Sequence, residues 1–238
     1  HTFTYDEQGR RASATSFDST GNQTSHVDIA YTEFGEPTAQ YHYGMDTGVI
    51  LPTFIEYDAN GQETKRTDCE ADGTVRSMYT YQYDSNGNVI RSDSYSEGGN
   101  TLQSYQTFEY DENGNQIKSS SFMGDGTPNR YKTSEYDAEG RLVKQSDYFA
   151  DGELLSTQTW EYDTQGRQTK NSSFDSNGLR EYTVTEYNAA DMISGTYTYA
   201  GDGTLRSYTE NVFDENGNSM GINYYDGEGN LEYSTQYE

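Results

Sequence analysis

Forty carboxylates, three histidines, one cysteine and 24 tyrosines are the side chains of this chain that can do chemistry. Their spacing decides between metal binding, acid–base catalysis, thiol chemistry and ring stacking. The strings Asp84-Ser85-Asn86-Gly87-Asn88, Asp111-Glu112-Asn113-Gly114-Asn115 and Asp214-Glu215-Asn216-Gly217-Asn218 look like the opening of a calcium loop. In such a loop the glycine stands sixth and a glutamate twelfth. Here the glycine stands fourth and no fixed glutamate follows. Asp and Asn also accept hydrogen bonds from their own turn backbone. The expectation is therefore plain turns and no cofactor, with calcium as the alternative. His1, His26 and His42 show no zinc spacing to other ligands. Cys69 sits at an aromatic place of the pattern described below and reads as a small hydrophobe.

Nucleophile elbows, glycine-rich phosphate loops and His-Glu-x-x-His strings do not occur. Carboxylate pairs do, but in every part of the chain alike. A catalytic acid and base need different environments at one place, so the chain reads as a non-enzyme. The aromatics are the better binding candidates. Tyr79, Tyr81, Phe108 and Trp160 fall on the longer strands, where a row of rings can stack on sugars. The competing reading is that these rings pack a thin sheet.

Something must position these side chains at regular steps, and the chain shows what. The phrase aromatic-Asp-x-x-Gly starts, with small departures, at Tyr5, Tyr31, Tyr57, Tyr83, Tyr110, Tyr136, Tyr162, Tyr187 and Phe213. Its glycines are Gly9, Gly35, Gly61, Gly87, Gly114, Gly140, Gly166 and Gly217, with Asp191 in the place of the missing one. A looser second series alternates with it: Gly21, Gly48, Gly73, Gly99, Gly126, Gly152, Gly178, Gly203 and Gly229. The two series step mostly by 12 and 14, so the repeat is one 26-residue unit of two strands and two turns.

Strands of about eight and ten residues remain after the turns are removed. They are rich in Tyr, Thr, Ser, Val, Ile and Phe, alternate as in Val75, Ser77, Tyr79, Tyr81, Tyr83, and show no helical period. The Asn-Gly and Asp-Gly turns suit type I′ hairpins. The Gln-Gly and Glu-Gly turns suit a type I turn with a bulge. A two-residue turn sets Glu56 against Lys65, Glu109 against Lys118, Glu135 against Lys144 and Glu161 against Lys170. It also sets Tyr83 against Ile90, Tyr110 against Ile117 and Tyr136 against Val143.

Composition bounds the partners. Hydrophobic residues make up 31% and mean hydropathy is −1.06, yet 14% of residues are aromatic and only three are proline. That aromatic content opposes disorder. A net charge of −25 repels phosphate backbones, so no nucleic acid is expected, and it attracts basic partners. No apolar run is long enough to insert in a membrane. One cysteine excludes an internal disulfide. The chain opens at His1 and stops where another turn is due, so a fragment of a longer array, with a leader outside it, is expected.

Tyr83-Asp84-Ser85-Asn86-Gly87-Asn88, Tyr136-Asp137-Ala138-Glu139-Gly140-Arg141 and Tyr162-Asp163-Thr164-Gln165-Gly166-Arg167 resemble the YD repeats of bacterial RHS-type surface and toxin proteins. The 26-residue period departs from that family's shorter one. The chain is similar also to variant MORN repeats. The resemblance implies hairpin strips, display outside the cell or at its surface, and a scaffold or shell role.

The reading is all-β: residues 1–238 as one array of about nine two-stranded units in an elongated, twisted antiparallel β-meander, open or spiral. The expected function is a structural or interaction module with a protein partner. The alternative is a carbohydrate- or cell-wall-binding module whose glycan lies on the aromatics. The irregular places, Asp191 and the stretch from Tyr31 to Pro52, are where a special site is expected.

Overall fold

A computed structural model describes residues 1–43, 50–96 and 98–237; Gly48 of the second glycine series lies outside them. Among the described residues there are 19 strands and no helix. Contacts divide the chain into two compact units, residues 1–109 with 119–129 and residues 110–118 with 130–238.

The first unit holds β1 (Thr2–Tyr5), β2 (Arg11–Phe17), β3 (Gln23–Tyr31), β4 (Pro37–Tyr43), β5 (Ile50–Tyr57), β6 (Glu63–Cys69), β7 (Val75–Tyr83), β8 (Val89–Tyr95) and most of β9 (Leu102–Tyr110). Each pairs antiparallel with its neighbours in sequence. Strand β10 (Gln116–Met123) follows. The second unit contains β11 (Pro128–Tyr136), β12 (Leu142–Phe149), β13 (Leu154–Tyr162), β14 (Gln168–Asp175), β15 (Gly178–Tyr187), β16 (Ile193–Ala200), β17 (Leu205–Phe213), β18 (Ser219–Asp226) and β19 (Leu231–Gln236). Pairing runs in the same order there, from β11 with β12 to β18 with β19.

Apart from the longer connection from Ser96 to Thr101, the described turns are of one kind. In the hairpin of β11 and β12, the Gly140 N–H donates to the Asp137 carbonyl and the Asp137 N–H donates to the Arg141 carbonyl, both at 3.0 Å. Gly140 has φ of +77°. This is a type I turn closed by a left-handed glycine and a bulge. The Asn-Gly turns are built the same way, which corrects the type I′ expectation. A type I′ turn needs two residues at positive φ. The asparagines before those glycines have negative φ, and Asp191, at φ 62°, is the one described non-glycine residue with a positive value.

The register follows. Glu135 faces Lys144, Glu161 faces Lys170 and Glu56 faces Lys65, as expected. At the bulge, however, Tyr136 faces Leu142 rather than Val143, and Tyr83 faces Val89 rather than Ile90. The bulge absorbs one residue at the foot of the turn, so only the first pair differs from a two-residue turn.

Little of the chain is a conventional core. Its buried apolar residues are Ala39, Ile55 and Cys69, while Ser13, Thr53, Thr67, Asp93, Ser134, Ser146, Thr157 and Ser172 are buried and polar. Ser146 is 1% exposed, and its hydroxyl lies 2.8 Å from that of Thr157 on the next strand. Ring stacks replace aliphatic packing. Tyr105 lies on Phe122, Tyr131 on Tyr148, Tyr182 on Tyr199 and Tyr208 on Tyr225, with centroids 4.5–4.8 Å apart. Offset pairs of this kind contribute about 0.5–1.5 kcal/mol beyond the area they bury.

Candidate binding surface

The motif residues hold the repeat together. The motif aspartate is a turn brace. Asp84 Oδ1 accepts the N–H groups of Asn86 and Asn88 at 2.8 and 2.9 Å, and Oδ2 accepts the Asn88 amide at 3.0 Å. Asp137 and Asp163 are braced alike, with Arg141 and Arg167 Nε as the side-chain donors, each at 2.7 Å. The Asn88 side chain, then its backbone N–H, hold Asp84 below the usual carboxylate range. Asp18, hydrogen-bonded first by the Thr20 hydroxyl and then by Asn22, is lowered to about 2. Hydrogen bonding to the ionised form is the cause in both. These are the oxygens the calcium alternative would need, and here they accept the turn's own hydrogen bonds.

The motif tyrosine reaches backwards. Tyr83 O–H donates to the Glu63 carbonyl at 2.6 Å, Tyr57 to Pro37 at 2.9 Å, Tyr136 to Gln116 at 3.0 Å and Tyr162 to Leu142 at 2.9 Å. Each acceptor lies 20 residues earlier. Arginines add a second link between consecutive units. The Arg10 guanidinium lies 4.7 Å from the Tyr31 ring, Arg141 4.9 Å from Tyr162 and Arg167 4.5 Å from Tyr187. In each case the arginine directly follows one turn glycine, and the tyrosine opens the next motif.

The four aromatic candidates are half-buried. Tyr79 and Tyr81 sit two apart on β7 and share a face, Phe108 lies on β9 of the same unit, and Trp160 belongs to β13 of the other. Tyr81, Phe108 and Trp160 occupy one repeat position, two residues before the motif aromatic. Tyr79 faces Arg66 and Ser94, and Trp160 faces Asn171. Burial raises the Tyr81 hydroxyl above its ordinary pKa.

The same repeat position holds Ile55, 4% exposed, which floors a groove of about 500 Å³ in the first unit. Phe34, Glu36, Tyr57 and Asp58 are among its walls. Phe34 is 82% exposed at the tip of a turn where the other motif copies carry Gln, Asn, Glu or Ala. Thr32 replaces the motif aspartate, and its Oγ1 accepts the N–H groups of Phe34, Gly35 and Glu36 at 3.1–3.2 Å. The Thr32 hydroxyl donates to Glu36 Oε2, which holds the Glu36 carboxyl below its usual range. One wall of this groove, from Thr32 to Thr38, lies within the stretch from Tyr31 to Pro52 that the sequence singles out, and the other, from Ile55 to Gly61, lies beyond it. The signal for Phe34 was its departure from the motif, while the 17-residue spacing of the stacked rings was the readable sign of those pairs.

Two of the three histidines are engaged locally. His26 lies 2.7 Å from Thr15 Oγ1 and 3.1 Å from Asp28 Oδ1, and His1 lies 2.8 Å from Ser16 Oγ. Among the described residues no group of three His, Cys, Asp or Glu side chains could hold a metal ion. Cys69 is buried, and that burial, then Asp68, raises its thiol pKa.

Comparison with known proteins agrees with this geometry. The RHS Repeat profile matches residues 57–101. The fold is similar to part of the crystal structure of TcdB2-TccC3-Cdc42, at 15% identity and a TM-score of 0.68 over 97% of this chain. It is shared with the Photorhabdus luminescens Tc holotoxin pore, at 15% identity and 0.66 over 97%, and with TcdB2-TccC3, at 14% and 0.67 over 97%. The chain spans only 13%, 13% and 14% of those chains respectively. No curated protein matches. The resemblance of the motif to RHS-type repeats thus stands on a profile match and on the fold.

Proposed function

We propose that the chain is a non-catalytic structural repeat module of a secreted or cell-surface bacterial protein, serving as wall or scaffold and offering its surface to protein partners. One observation carries this reading. The residues that recur, and that could do chemistry, are spent on the repeat itself: the aspartates brace turns and the tyrosine hydroxyls tie each unit to the one before. The RHS Repeat match and the likeness to toxin assemblies support it, as does the small share of those chains that this one covers. Surface biotinylation and fractionation of the native host test the reading. Label on intact cells, or recovery in the medium, is the expected result; recovery in the cytoplasm alone overturns it.

The second reading is a carbohydrate- or cell-wall-binding module. Tyr79 and Tyr81 support it, as partly exposed rings two residues apart on one face. A glycan array with the intact chain decides: saturable binding abolished by Trp160→Ala or Tyr81→Ala favours this reading over the first.

A further inference from the structure

In three copies the residue after the first-series turn glycine bridges to the next turn. Arg10 Nη1 donates to the Thr32 carbonyl at 3.2 Å, Gln62 Nε2 to the Gly87 carbonyl at 3.3 Å, and Arg167 Nη1 pairs with Asp191 Oδ1 at 2.6 Å. Across the motif copies these positions read Arg10, Glu36, Gln62, Asn88, Asn115, Arg141, Arg167, Met192 and Asn218. Glu36 is the one carboxylate among them. It cannot donate to a carbonyl, and its carboxylate turns back to the Thr32 hydroxyl. The groove of about 500 Å³ lies between the turns at 32–35 and 58–61.

Three other copies show what fits such a place. There the chain's own guanidinium lies over the next motif tyrosine, at 4.5–4.9 Å from the ring centroid. At Tyr57 the residue that would supply it is Glu36. The groove therefore keeps the ring, adds a second ring in Phe34, and replaces the internal cation by an ionised carboxylate. Asp58 adds another carboxylate, and Arg66, which faces Ile55 across the strand pair, is held through Nε and Nη2 by Glu63, at 2.9 and 2.7 Å. Rings beside a carboxylate attract a flat cation with an apolar stem more than they attract a neutral sugar.

We propose that the groove formed by Phe34, Glu36, Ile55, Tyr57 and Asp58 is a docking site for an arginine side chain presented by a partner protein. The proposal deepens the reading of the chain as an interaction module. It fails separately, because surface labelling tests that reading and titration tests this one.

The test is an NMR titration of the ¹⁵N-labelled full chain with the capped tripeptide acetyl-Gly-Arg-Gly-amide. Saturable shifts confined to amides of residues 32–38 and 55–61 are expected. Phe34→Ala and Glu36→Gln should each weaken binding by roughly tenfold, the range of one desolvated cation–ring or charged contact. Glu36→Arg should abolish it while leaving the remaining spectrum intact, because the new side chain occupies the groove as Arg10 and Arg167 occupy theirs. Shifts spread over all acidic turns, equal affinity for the lysine tripeptide, or undiminished binding by Glu36→Arg would each overturn the proposal. Chitotriose shifting the same amides in place of the arginine peptide would reassign the groove to glycan.

Discussion

Asp191 shows how far a single residue could be read from spacing. It stands where a glycine is due, and it adopts the glycine's conformation, with φ of 62°. An L-residue held there costs on the order of 1 kcal/mol. Asp191 also pairs with Arg167, but its side chain is 67% exposed, and such pairs contribute about 0–1 kcal/mol. Asp191→Gly should therefore leave stability unchanged or raise it by up to about 1 kcal/mol in urea unfolding. A loss of more than 1 kcal/mol would show that the ion pair outweighs the strain. The motif tyrosines were less legible. That their hydroxyls reach a carbonyl 20 residues back depends on the bulge and on which strand end meets which turn, neither of which the motif states. Tyr83→Phe removes the 2.6 Å bond to the Glu63 carbonyl and should cost about 0.5–1.5 kcal/mol. If Tyr83→Phe unfolds at the same urea concentration as the parent, that bond is not a link between units.

The hairpin was legible where alternation and spacing fix it and illegible where two turn types share a sequence. The opposition of glutamate and lysine came out correctly from a turn type that proved wrong. A two-residue turn and a type I turn with a bulge place the same residues opposite one another beyond the bulge. They differ in which backbone angles they demand, and mutation separates them. Gly114, at φ 83° with open space where a Cβ would go, should lose roughly 1 kcal/mol on change to Ala. Asn113→Ala should stay within about 0.5 kcal/mol, since a type I turn leaves that residue at negative φ. Equal losses at both positions would restore the type I′ turn. The ion pairs matter less for stability than for register. Lys144 and Glu135 meet at 2.7 Å with side chains 42% and 59% exposed. A double-mutant cycle to Gln at both should return a coupling of about 0.5 kcal/mol or less.

At the scale of the molecule, fold class and, among the described residues, strand number and the lack of helix were legible because the repeat states them nine times over. The nature of the interior was not. A low hydrophobic fraction says that a large apolar core is unaffordable, but not that buried Ser and Thr rows and stacked tyrosines take its place. The charge balance then sets how stability responds to pH. Twelve aspartates, Asp6, Asp18, Asp58, Asp72, Asp84, Asp111, Asp125, Asp137, Asp163, Asp202, Asp214 and Asp226, have carboxyls held below their ordinary value of 3.8. A carboxyl depressed on folding stabilises the fold above its unfolded value and ceases to do so as pH falls through its folded one. The turns therefore lose this contribution below 3.8, with Asp18 last, near about 2. Against this runs repulsion among 25 net negative charges at pH 7, which fades as the pH approaches the isoelectric point of about 4.2. The melting temperature should rise on acidification from pH 7 to roughly pH 4.5, then fall steeply below 3.8 as the turn carboxylates protonate. Added salt at pH 7 should reproduce the first rise by screening, and should do little near pH 4.5. A melting temperature that falls steadily from pH 7 downward would mean that the net charge does not strain the fold. One that holds to pH 2.5 would mean that the aspartates do not brace the turns.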